Sequence, residues 1–198
     1  MYTLLLLLIY LAFISLGLPD SLLGSAWPVM HKAFQVPLSY AGLVTMIISG
    51  GTICSSLMSE RLTKKFGTQI VTVFSVMLTA IALFGFSTAS AFWMLCLWAI
   101  PYGLGAGAID AALNNYVALH YNSRHMSWLH CFWGLGTIIS PYVMSYALTA
   151  SVWQNGYRMV SFIQIGIALI LFVTLPIWKV NRKETAQKEK AEEEMVGI

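Results

Sequence analysis

The sequence predicts an all-α integral membrane protein: a bundle of six transmembrane helices with both termini cytoplasmic. Three observations predict it. Of the 198 residues, 58% are hydrophobic and only 10% charged, and the mean hydropathy is +0.74, outside the balance of a water-soluble domain. Six apolar segments each approach or exceed the roughly 20 residues needed to cross a bilayer. Nine of the eleven Lys and Arg (Arg61, Lys64, Lys65, Arg124, Lys179, Arg182, Lys183, Lys188 and Lys190) follow even-numbered segments, and only Lys32 and Arg158 fall on the other side. By the positive-inside rule that side bias puts both ends of the chain in the cytoplasm.

The bundle is expected over residues 1–178, with segments at about 3–30, 39–63, 68–86, 91–121, 126–149 and 157–178. Short connections make successive segments antiparallel neighbours. Segment one has no basic n-region and no small-x-small cleavage site, so it reads as a span rather than a signal peptide. Its Phe13, Gly17, Asp20, Gly24 and Trp27 form a stripe at helical spacing, and Pro19 removes one backbone bond beside Asp20, which predicts a local bend. Trp27 reads as an interfacial anchor. Segment two aligns Thr45, Ser49, Thr52, Ser56 and Glu60 and carries Gly50-Gly51, a small-residue face suited to close helix packing. Segments three and six are nearly uniformly apolar and are expected to face lipid.

The fourth segment organises the rest. It contains Gly103-Leu-Gly-Ala-Gly-Ala-Ile-Asp110-Ala-Ala-Leu-Asn114-Asn115, placing a carboxylate and two amides where lipid would not tolerate them cheaply. Gly103, Gly107, Asp110 and Asn114 recur at steps of four, three and four, so they share one stripe that must face protein or water. Asn114 lies one turn from Asp110; Asn115 points about 100° away and reads as a stitch to a neighbouring helix. In segment five His130, Gly134, Thr137 and Pro141 repeat the spacing. His130 fits a proton relay, a solute ligand or a hydrogen-bonded packing residue. Trp133 and Tyr116 offer rings for stacking against a solute, and Arg158 suits a headgroup or loop contact. Residues 179–198 form a charged cytoplasmic tail or inter-bundle linker, too polar to fold alone.

Several function classes drop out. The net charge of +3 is set by a few topological clusters and gives no nucleic-acid surface. Cys54, Cys96 and Cys131 lie singly in apolar runs, with no disulfide or metal spacing. The Gly-x-Gly-x-Gly of segment four lacks the strand and Lys-Ser/Thr of a nucleotide loop, and no catalytic array is present, so neither an enzyme nor a bound cofactor is expected. An apolar setting penalises the charged form of a carboxylate. Asp110 and Asp20 are accordingly read as proton-carrying sites, about 10 Å apart along the membrane normal on helical rise. Asp20, Asn114, His130, Trp133 and Tyr116 are the candidate solute ligands. Gly103, Gly107, Gly134, Gly50 and Gly51 are the candidate packing residues.

Six helices with these roles, a Gly-rich fourth helix bearing an acid and a short basic link between helices two and three resemble the N-terminal half of a major facilitator superfamily transporter. More narrowly, Asp20 in a bent first helix and Gly103 to Asn114 in the fourth are similar to the fucose permease-like, sugar:proton symporter branch, where acids in these helices serve proton coupling and substrate binding. The superfamily's link usually reads G-x-x-x-D-R-x-G-R-R/K. Aligned on Gly67, this chain has Glu60 at the first glycine, Lys64-Lys65 at the Asp-Arg pair and Thr68-Gln69 at the closing basic pair; Glu60-Arg61 offers a displaced charge pair. The resemblance implies one half of a secondary transporter in the plasma membrane, moving a sugar-like solute with protons by alternating access. Its partners would be the lipid bilayer, the solute and proton, and a second six-helix bundle. A competing reading is a non-transporting membrane subunit that acts only by associating with a second bundle.

Overall fold

The computed structural model describes residues 2–149 and 152–176. The segment 179–198 and the last two residues of the sixth expected span lie outside them. Among the described residues seven helices follow one another: α1 (Tyr2–Asp20), α2 (Leu22–Ala33), α3 (Tyr40–Phe66), α4 (Thr68–Thr88), α5 (Phe92–His120), α6 (Ser123–Thr149) and α7 (Trp153–Val173). Among the described residues they supply six spans long and apolar enough to cross a membrane, α1 and α2 together making the first.

The first span breaks at Ser21, where Pro19 and Asp20 end α1. Proline has no N–H to give the carbonyl four residues back, which is that of Ser15. The chain fills the gap from another helix: Gln164 of α7 donates its amide to the Ser15 carbonyl at 2.6 Å. Thr79 of α4 in turn donates to the Gln164 carbonyl oxygen at 3.0 Å. Ser15, Thr79 and Gln164 are all buried, so one buried network ties the bend in α1 to α7 and α4.

The broadest contact joins the non-consecutive α3 and α5, and successive spans are neighbours to unequal degree: α4 and α5 pack broadly, α6 and α7 less so, α3 and α4 little. α5 lies between α3 and α4, α4 between α5 and α7, and α6 packs on α1 and α7. α3 and α4 touch little although Gly67 alone separates them; its φ of +87° is a conformation that costs glycine little. Backbone proximity explains the pairing. A Cβ at Gly103 would overlap the Ile48 carbonyl, and one at Gly107 would overlap that of Thr52, while Gly51 abuts Gly103 from the other side. Thr52, Ser56 and Ser59 of α3 then donate to the carbonyls of Gly103, Gly107 and Ala108 at 3.3, 3.1 and 3.2 Å. Gly17 of α1 and Gly136 of α6 make the corresponding close approach on the other side of the bundle.

Three further expectations change. Gly50 and Gly134 face open space, with no atom near the position of a Cβ, so neither supports helix packing. Trp27 is buried: its indole donates to the Leu38 carbonyl at 2.7 Å and its ring meets Phe92, so it closes the core beneath the α2–α3 turn. α4 and α7 do present Phe74, Phe84, Phe162 and Phe172 outward, yet their inner faces carry much of the core. The least buried span is α3.

Candidate functional site

Where α1 and α6 face α3 and α5, the bundle leaves a cleft of about 310 Å³. That is roughly ten times the ~30 Å³ share of one liquid water and at the lower end of ligand-site volumes. Asp20 and Asp110 both line it, together with Tyr102, Thr52, His130 and Trp133. Two acids distant in sequence thus open onto one space.

The carboxyl groups are held differently. Asp20 accepts from the Tyr102 hydroxyl at 3.1 Å on Oδ1 and from the Trp133 indole at 2.8 Å on Oδ2. Its two oxygens are therefore engaged from two other helices, α5 and α6. Tyr102 is buried, whereas Trp133 is 40% exposed. Asp110 accepts on Oδ1 from Asn114 of its own helix at 3.0 Å, and the Asn114 Oδ1 is buried with no hydrogen-bond partner among the described residues. The His130 ring stands edge-on to Phe13, which lines the same cleft.

Other expected site residues sit elsewhere. Tyr116 lies toward the far end of α5, stacked on His120 with ring centres 4.3 Å apart. It lines a separate groove of about 630 Å³ with Asn115, Glu60 and Lys64. Helical spacing explains the miss: from Asp110 to Tyr116 the helix turns through about 600°, which carries the ring well round from the acid. Asn115 is exposed in that groove instead of stitching α5 to a neighbour. In the link, Glu60 pairs with Lys64 at 2.6 Å, because an i,i+4 step brings side chains together on a helix and an adjacent step to Arg61 does not. Both partners are largely exposed, so the pair adds little stability. Lys65 lies over the Phe66 ring at 5.2 Å.

Tyr102 went unread in the sequence, although Tyr102, Ala106 and Asp110 recur at steps of four and all line the cleft. No group of three or more His, Cys, Asp or Glu able to hold a metal ion occurs among the described residues.

The geometry is that of a polar cleft within a bundle of membrane-length helices. The family model for the Major Facilitator Superfamily matches residues 9–197. The chain belongs to this superfamily. Membership places it among membrane transport proteins rather than enzymes. It is similar to the Bypass of stop codon protein 6 of Saccharomyces cerevisiae (strain ATCC 204508 / S288c), 25% identical over 179 residues, covering 89% of this chain and 35% of that protein. It is also similar to the Glucose/mannose transporter GlcP of Bacillus subtilis (strain 168), 22% identical over 182 residues, covering 90% of this chain and 44% of that protein. The superfamily chain described here thus spans less than half the length of either relative.

Proposed function

We propose that this chain forms one six-helix half of a proton-coupled transporter for a small, neutral, hydroxyl-rich solute of the sugar class, in the manner of the fucose permease-like branch. The observation that carries the reading is the shared cleft: Asp20 and Asp110, with His130 and Trp133, open onto one space between four helices. A second six-helix bundle over α1, α3, α5 and α6 would close that space near the bilayer midplane, and rocking of the two bundles would expose it to either side in turn. The relation to a bacterial transporter named for glucose and mannose supports the solute class. The distribution of Lys and Arg supports cytoplasmic termini; a plasma-membrane location rests on the transporter resemblance alone.

The two acids divide the work. Among the described residues Asp110 is hydrogen-bonded only by Asn114, on its own helix, which leaves it free to gain and lose a proton facing His130 and the cleft. Asp20, fixed by Tyr102 and Trp133, presents an oriented acceptor to solute hydroxyls and assists coupling. Sugar uptake by the full-length protein, measured across pH with Asp110→Asn beside wild type, tests this assignment. Loss of the proton dependence with solute binding retained is expected; an unchanged pH profile refutes the role given to Asp110.

A further inference from the structure

At the other edge of α6, away from Asp20 and Asp110, a third cavity of about 430 Å³ lies between α6 and α7. Its lining is graded. Thr149, Asn155 and Arg158 stand toward the α6–α7 turn, while Tyr146 and Phe162 lie about one helical turn, roughly 5 Å, deeper along their helices. Tyr146 is 70% exposed and Phe162 59%, so the deeper end of the groove opens sideways onto apolar surroundings.

Arg158 has no carboxylate to pair with among the described residues. The three carboxylates there are engaged elsewhere: Glu60 with Lys64, Asp20 with Tyr102 and Trp133, and Asp110 with Asn114. A guanidinium left at a membrane boundary seeks an anion, and its fork matches phosphate oxygens. α7 also begins beside it, at Trp153, with no side chain capping its first turn, so the helix adds partial positive charge at the same end.

We propose that this groove binds a phospholipid, its phosphate against Arg158 and Asn155 and an acyl chain along Tyr146, Met159 and Phe162. The order of polarity in the groove, cationic at the turn and apolar one turn inward, matches that of a lipid entering from the leaflet. A free phosphate would use only the upper end, and an acidic protein segment would leave the apolar end uncovered.

Native mass spectrometry of the full-length protein, supplied with phosphatidylglycerol and phosphatidylcholine of identical chains, tests the proposal. Wild type should retain phosphatidylglycerol preferentially, and Arg158→Gln should weaken that retention about tenfold, the worth of one charge-assisted hydrogen-bonded contact. Lys32→Gln, removing the other cation on this side of the bundle, should leave retention unchanged. Millimolar glycerol phosphate should not displace the lipid. Equal lipid retention by Arg158→Gln, or displacement by glycerol phosphate, overturns the proposal, the latter by marking a site for small anions. Arg158 is exposed, and an unchanged unfolding temperature for Arg158→Gln shows that lost retention is not lost folding.

Discussion

Single atoms decide the helix contacts of this bundle. At Gly107 a Cβ would run into the Thr52 backbone and the Ser55 hydroxyl, and backbone cannot swing aside as a long side chain can. Gly107→Val should therefore cost about 1–3 kcal/mol or more through overpacking. Gly50→Ala, facing open space, should stay within about 0.5 kcal/mol. Thermal unfolding of the two variants in detergent checks the contrast, and equal unfolding temperatures would contradict the packing described. In the sequence both glycines looked alike, since each belongs to a small-residue run on a membrane helix. What separates them is whether each lies on the seam where α3 meets α5, and helical phase alone does not fix that. The cleft acids were legible for a different reason. A carboxylate in a membrane span is costly enough to announce itself, while its neutral partners Tyr102 and Trp133 are ordinary membrane residues until a neighbouring helix brings them to Asp20.

Between elements, the bend in α1 and the buried amide of α7 form one unit. Pro19 opens a gap at the Ser15 carbonyl and Gln164 fills it. Gln164→Leu should cost about 1–3 kcal/mol by leaving buried polar groups unpaired. Pro19→Ala restores the N–H that proline lacks, so the double variant Pro19→Ala/Gln164→Leu should lose less than the sum of the single losses. Additive losses in a double-mutant cycle would show that the two sites are independent. The α3–α5 contact behaves differently. Its hydroxyl bonds from Ser56 and Ser59 average ~0.6 kcal/mol each in membrane helices, so replacing both with Ala should cost about 1 kcal/mol, less than Gly107→Val. A sequence reader could place Pro19, the glycines and the hydroxyls on their spans to within a few residues. The partner of each span was hidden, because a one-residue link such as Gly67 sets adjacency in the chain but not which faces bury together.

For the whole molecule, the six-span count and the superfamily follow from hydropathy and from residues 9–197. The outward apolar faces of α3 and α6 carry Met46, Ile53 and Leu57 on one helix and Ile138 and Tyr142 on the other. These faces flank the polar cleft, and under the function proposed above they are the surfaces a second bundle would cover. Residues 1–176 produced alone in detergent should accordingly dimerise or aggregate, and a monodisperse monomer by light scattering would count against that account. The central claim is that Asp20 and Asp110 border water within the membrane. The direct measurement is thiol labelling of the full-length protein with Cys54, Cys96 and Cys131 replaced, using a membrane-impermeant methanethiosulfonate reagent. Ala106→Cys, one turn from Asp110 in the cleft, should be modified rapidly, while Phe74→Cys on the outer face of α4 should resist. Protection of both positions alike would contradict a water-filled cleft, and with it the carrier.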